Sequence, residues 1–160
     1  MGRPIFIAGP TASGKSAAAM EVARHTGGGI VSVDSMQVYR GMDIGTAKPS
    51  AEQQSTICHH LIDITELADT FDAATFVSRA CEAATSEEQV IFCGGTGMYF
   101  QALLEGLGEA PSANPELRAE LENTATENLI KEIAGKDPAT HEAIDHQNRR
   151  RLVRAVEVIR

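Results

Sequence analysis

The chain has 160 residues, is 42% hydrophobic and 22% charged, and carries a formal net charge of −8. That length holds one ordinary domain with a small appendage, and the acidity argues against a protein that coats nucleic acid through its overall charge, while leaving room for an RNA substrate held by a local basic patch. Cys58, Cys81 and Cys93 show no CxxC spacing and leave an odd number, which argues against a disulfide scaffold or a zinc site, and no stretch approaches a membrane span, so a reducing, cytoplasmic setting is expected.

Tryptophan is absent and aromatics make up 4%, so the core must be mainly Ile, Leu, Val and Ala. Met1 to Pro4 runs directly into a strand, which leaves no room for a signal peptide. Residues 4–8 (PIFIA) read as a buried strand, and residues 14–24 as an alanine-rich helix stopped by Gly27, Gly28 and Gly29. Residues 30–33 (IVSV) form a second strand ending at Asp34. The stretch 35–59 holds Gly41, Gly45 and Pro49, has little periodicity, and reads as a long functional loop with one short helix. Residues 61–64 read as a brief strand or extended piece, 72–84 as a helix with Phe76 and Ala80 on one face, and 90–93 (VIFC) as a further strand. Gly94, Gly95, Thr96 and Gly97 follow, and a helix begins at Met98. Strands alternating with helices predict an α/β fold with a parallel sheet and right-handed crossovers.

Character changes after Gly106. Residues 108–115 (GEAPSANP) read as a hinge, and 116–144 as polar and helical, with breaks at Gly135 and Pro138. Leu117, Leu121, Leu129 and Ile133 offer one thin apolar side. A last helix over 148–159 carries Leu152, Val153, Val156 and Ile159 on its buried side and Arg149, Arg150, Arg151 and Arg154 near its start. Three segments are therefore expected: an α/β core over 1–107, a helical insert over 108–147, and from 148 to 160 the start of a helix returning to the core.

Gly9, Pro10, Thr11, Ala12, Ser13, Gly14, Lys15 and Ser16 match GxxxxGK[ST] in its proper strand–loop–helix context. Glycines let backbone N–H groups converge on phosphate oxygens, and the helix N-terminus adds unsatisfied donors and a positive dipole end. Lys15 adds a mobile charge, and Ser16 is placed to ligate Mg²⁺ or to hydrogen-bond a phosphate. A nucleoside triphosphate hydrolase would carry an Asp at the end of a later apolar strand, but the 90–93 strand ends in glycines. The acidic strand terminus is instead Asp34. A carboxylate near a diphosphate holds Mg²⁺ or accepts a proton from a nucleophile; the plainer reading of Asp34 is a turn residue. Arg149, Arg150, Arg151 and Arg154 suit a phosphate backbone or, equally, a solvated helix face. Tyr39 and Tyr99 read as packing residues before base-stacking ones, and His59 and His60 have no partner at metal spacing.

Several long blocks share one resemblance. GPTASGKS at 9–16, IVSVDSMQVYRGMDIGTAKP at 30–49, HHLID at 59–63, GGTGMYFQALLEGL at 94–107 and NRRRLVRAVEV at 148–158 together resemble the tRNA dimethylallyltransferases, also called tRNA isopentenylpyrophosphate transferases. The resemblance runs from about Pro4 to Arg160 and is weakest in the helical insert. It implies a P-loop NTPase-like three-layer fold. It also implies transfer of a dimethylallyl group from dimethylallyl diphosphate to N6 of adenosine 37 beside the tRNA anticodon, with diphosphate released and Mg²⁺ required. On this resemblance residues 9–16 grip the donor's diphosphate rather than ATP, with Lys15 and Ser16 as the diphosphate and metal grip. Asp34 matches the general base, and Asp34, Ser35, Met36 and Gln37 match the stretch that contacts the flipped adenine. Thr96, Arg118 and the run Arg150, Arg151, Leu152, Val153, Arg154 match tRNA contacts. Ser16 stands where many members have Thr, and Arg150 where they usually have Gln. Family members are about twice as long, so the resemblance implies that the C-terminal part of the fold is missing here. A monomer is expected. A small P-loop metabolite kinase and an inactive RNA-binding fragment are the alternative readings.

Overall fold

A computed structural model of the chain describes residues 2–108, 111 and 113–160. Glu109, Ala110 and Ser112, within the hinge expected over 108–115, and Met1 lie outside the described residues. The chain divides into two compact units, Met1–Gly108 and Glu109–Arg160.

The first unit is built on a fully parallel sheet. Its strands are β1 (Ile5–Ala8), β2 (Gly29–Val33), β3 (His59–His60) and β4 (Val90–Gly94), in the spatial order β1-β4-β2-β3. The two central strands are buried at every residue, as expected for a sheet covered on both faces, while β1 alternates and leaves Phe6 part-exposed at the edge. Side-chain alternation sorts the core into two layers. Ile30, Ile91 and Cys93 point to one face and meet Ala19, Met20 and Ala23 of α1 (Lys15–Thr26). Val31, Val33, Val90 and Phe92 point to the other and meet α3 (Ala73–Thr85) and α4 (Gly97–Glu105) through Phe76, Ala80, Tyr99 and Phe100. The Phe76 and Tyr99 rings stack 4.4 Å apart, and the Tyr99 hydroxyl donates to the Phe71 carbonyl at 3.1 Å. Tyr99 is thus a packing residue; burial, followed by the charges of Tyr39, Asp72 and Asp34, pushes its phenol up to about 12.

The expected three-layer α/β architecture is what the first unit adopts, with local differences. In place of a strand over 61–64, β3 stops at His60, because Leu61 and Asp63 take left-handed backbone (φ 62° and 54°) that ends the extended run; an isolated parallel bridge between Tyr39 and Thr65 follows. The long loop contains α2 (Ala51–Thr56), started by a capping box between Ser50 and Gln53.

The second unit holds α5 (Pro115–Glu122), α6 (Thr126–Lys136), α7 (Pro138–Ala143) and α8 (Arg149–Ile159). Pro115 and Pro138 each open a helix, where a missing N–H costs nothing. No break occurs at Gly135, which lies inside α6; the helix ends at Asp137, whose side chain then caps α7. The boundary expected at 148 is also replaced. α8 belongs to this unit, with Leu152, Val153 and Val156 packed on Leu121, Leu129 and Ile133. Five of these six side chains are fully buried, and each such burial stabilises by about 1.5–3 kcal/mol. Three short polar helices have too little apolar surface to close a core, so α8 supplies the missing side.

Candidate functional site

All four strands run the same way, so the segments that leave β1, β4 and β2 emerge side by side at the carboxyl edge of the sheet, where open α/β sheets place ligands. They are the loop 9–14, the Gly94–Gly95–Thr96 turn, and Asp34. A cavity of about 640 Å³ opens there, lined by Thr11, Ala12, Gly14, Lys15, Ser16, Asp34, Met36 and Gln37 and by the segment Gly45–Pro49.

The loop is strained in the manner of a built anion cradle. Ala12 and Gly14 both have left-handed backbone (φ 64° and 83°), and Gly14 starts α1 without any side-chain cap. The first N–H groups of α1 are therefore left for a ligand. The Lys15 ammonium rests on the Pro10 carbonyl at 3.0 Å. The missing acidic residue at the end of β4 has a steric cause. Val33 pairs with Gly94, and a Cβ at 94 would lie 2.0 Å from the Val33 carbonyl oxygen. A Cβ at Gly95 would lie 3.2 Å from the Gly9 carbonyl oxygen. Cys93 also lines the cavity; burial pushes its thiol up, against the pull of the Lys15 charge.

Asp34 is fixed rather than free. Its Oδ1 accepts from the N–H groups of Met36 (2.9 Å) and Gln37 (3.3 Å). Thr96 supports the next residue, its Oγ1 accepting from the Ser35 N–H at 3.0 Å. Gln37 is read at both ends: its Oε1 accepts from the Ser32 hydroxyl at 2.8 Å, and its Nε2 donates to the carbonyls of Thr46 and Ala47. Lys48 was not singled out by the sequence, and it pins the same wall. Its buried ammonium bonds Asp63 (2.5 Å), Asp43 (2.9 Å) and the Tyr39 carbonyl (2.7 Å). Burial pulls this ammonium down, but the hydrogen bonds and charges of Asp63 and Asp43 outweigh it and raise its pKa.

The arginines fall into distinct groups. Arg149 turns inward and donates to the Leu121, Glu122 and Thr124 carbonyls and to the Thr126 hydroxyl, capping the carboxyl end of α5. Arg118 and Arg154 both bind the buried Glu157 carboxylate, at 3.0 and 2.7 Å. Among the described residues, the exposed Arg150 and Arg151 guanidinium groups have no such partner. Leu152 and Val153, expected within the RNA-contacting run, are core side chains, packed on Leu121, Leu129 and Ile133, while Arg150 and Arg151 stay exposed. Neither unit contains a helix long and apolar enough to cross a membrane, among the described residues.

A GxxxxGK[ST] loop between β1 and α1, an anchored Asp34 on the same cavity, and a parallel sheet covered on both faces define a P-loop NTPase-like α/β fold. The family model described as IPP transferase matches residues 37–160, and the chain belongs to that family. It is 48% identical to tRNA dimethylallyltransferase 1 of Trichlorobacter lovleyi, covering 98% of this chain and 54% of that protein. It is 46% identical to tRNA dimethylallyltransferase 2 of Geotalea daltonii, covering 98% and 50%. The crystal structure of the full-length tRNA isopentenylpyrophosphate transferase of Bacillus halodurans matches with a TM-score of 0.63 at 37% identity, over 98% of this chain and 55% of that one. A eukaryotic dimethylallyltransferase acting on tRNA matches in fold, with a TM-score of 0.78 at 22% identity over 96% and 40%. The chain spans about half the length of the curated relatives it matches.

Proposed function

We propose that this chain provides the donor-binding and base-bearing portion of a tRNA dimethylallyltransferase. The observation that carries the reading is that the P-loop and Asp34 line one cavity. The free amides of the loop and of the first turn of α1, with the Lys15 ammonium, hold the diphosphate of dimethylallyl diphosphate. Adenosine 37, drawn out of the anticodon loop, presents N6 to the donor's C1. The N6–C1 bond forms, the C1–O bond to diphosphate breaks, and the N6 proton passes to Asp34, whose Oδ1 is already anchored by two amides. Diphosphate departs into the N–H groups and the Lys15 charge that held it. The Ser16 hydroxyl on the same cavity is a hard oxygen donor that fits Mg²⁺ together with the donor's phosphate oxygens. Bound there, Mg²⁺ would neutralise charge on the leaving diphosphate.

Ser35, Met36 and Gln37 would face the flipped adenine, and Thr96 holds their backbone in place. Contact with the RNA backbone falls first on Arg150 and Arg151, because Glu157 already engages Arg118 and Arg154 and cancels one of their two charges. Burial of Leu152 and Val153 leaves their side chains no part in it.

The test is equilibrium binding of labelled dimethylallyl diphosphate with Mg²⁺, followed by label transfer to an anticodon stem-loop. Lys15→Ala is expected to weaken donor binding strongly. Asp34→Ala should retain donor binding and lose transfer. Transfer by Asp34→Ala at the parent rate would overturn the assignment of the base, and turnover of ATP without donor binding would favour a metabolite kinase.

A further inference from the structure

A second cluster lies at the amino-terminal edge of the sheet, the end opposite the phosphate cavity. Cys58 stands just before β3, His60 ends it, and Glu87 stands in the turn before β4. Their donor atoms all lie within 4.8 Å of one another. His60 Nε2 is 2.6 Å from Glu87 Oε1 and 3.4 Å from Cys58 Sγ. Residues two apart on an extended segment project to one side, which brings the thiol and the imidazole together.

Glu87 reaches them across the first residue of β2. A Cβ at Gly29 would lie 2.4 Å from the Glu87 carboxyl carbon and from its Oε1, so the absence of a side chain there is what lets the carboxylate lie over the strand. The Ile30 N–H donates to the Cys58 carbonyl at 2.9 Å, which fixes the backbone that carries the thiol. The His60 and Glu87 side chains are largely buried, at 22% and 16% exposure.

We propose that Cys58, His60 and Glu87 form a three-ligand site for a zinc-class divalent metal ion. A mixed sulfur, nitrogen and oxygen donor set suits Zn²⁺ and excludes Mg²⁺ or Ca²⁺, which take oxygen alone. Tetrahedral bonds of about 2.1 Å to nitrogen and oxygen and about 2.3 Å to sulfur place neighbouring donors about 3.4–3.6 Å apart. The Cys58–His60 separation, 3.4 Å, is already within about 0.2 Å of the sulfur–nitrogen distance. The His60–Glu87 hydrogen bond opens by under about 1 Å, within reach of the Glu87 side-chain torsions. Binding replaces the thiol proton and the imidazole–carboxylate hydrogen bond with metal bonds, leaving a fourth position for water. The ion would tie the turn before β3 to the turn before β4.

Cobalt(II) titration of the chain, without diphosphate, tests this apart from any prenyl transfer. The expected result is saturation at one equivalent, with a thiolate-to-cobalt charge-transfer band and the visible bands of tetrahedral coordination, displaced by Zn²⁺. Cys58→Ser should abolish the charge-transfer band while its metal-free circular dichroism matches the parent's. Glu87→Gln and His60→Gln should each weaken binding by roughly tenfold or more. Cys81→Ser, which alters an exposed thiol outside the cluster, should change nothing. Absence of the charge-transfer band from the parent, or its persistence in Cys58→Ser, would overturn the site and leave a simple His60–Glu87 hydrogen bond.

Discussion

Glu157 is the buried charge at the centre of the second unit, and its removal should loosen that unit measurably. Its side chain is 1% exposed and accepts four hydrogen bonds: from the Asn114 N–H (2.7 Å), from Arg118 Nε and Nη2 (3.2 and 3.0 Å), and from Arg154 Nη1 (2.7 Å). Deleting one partner of a buried ion pair costs about 3–5 kcal/mol when the other charge stays desolvated. Here Arg118 and Arg154 keep 40% and 36% exposure, so both regain part of their hydration. The Asn114 N–H loses the acceptor next to the α5 cap, a loss of about 1 kcal/mol. Glu157→Ala should therefore destabilise the unit by about 2–3 kcal/mol, and Glu157→Gln, which keeps an acceptor for Asn114, by about 1–2 kcal/mol. Native-state hydrogen exchange reads this locally. The amides of Leu152, Val153 and Val156 should exchange roughly 30- to 150-fold faster in Glu157→Ala, at about 1.4 kcal/mol per tenfold. Unchanged protection in α8 would show that the Glu157 cluster contributes nothing net and would refute the reasoning.

The sheet offers a steric contrast. Gly94→Ala sets a Cβ against the Val33 backbone, which cannot move without parting β2 from β4, so it should cost about 3 kcal/mol or more in a urea titration. Gly97→Ala meets nothing within 4 Å and should leave the midpoint within about 0.5 kcal/mol of the parent. Acid should loosen the second unit first at its carboxylates. Hydrogen bonds from Arg160 and Lys136 hold Glu132 down to about 2 from an ordinary 4.5. Burial pushes Glu157 up, but Arg154, Asn114 and Arg118 outweigh it and hold it below its ordinary value. Folded-state values below the unfolded ones mean stability present above pH 4.5 and lost as pH falls toward 2. Circular dichroism across that range should show helix loss in the parent, and Glu132→Gln should flatten the dependence.

What was legible in the sequence was what lies within a short stretch of chain. Residues 9–16 match a P-loop because strand, loop and helix are contiguous there, and the break read at Pro138 is where α7 opens. The β3 region misled because two left-handed residues, Leu61 and Asp63, end pairing inside an apolar run that reads as extended. The arginine helix misled in a different way. Arg149, Arg150, Arg151 and Arg154 look equivalent in sequence, yet one caps α5 and another binds a glutamate, leaving two exposed. Nothing local marks Glu157 as buried, since its partners Asn114 and Arg118 lie 43 and 39 residues away.

The sequence by itself determined the GxxxxGK[ST] loop between strand and helix, the alternation of strands and helices, and the carboxylate at the end of the second strand. Those depend on local backbone preference and side-chain period. Only the tertiary structure decided that β4 lies between β1 and β2, which sets Asp34 and the P-loop on one cavity and leaves no room for a side chain at Gly94. It alone also joined α8 to the helical unit and brought Glu87 across Gly29 to His60 and Cys58. The physical reason is shared. Strand order, ion pairing and ligand clusters depend on which distant surfaces bury one another, and neither propensity nor spacing within one segment encodes that choice.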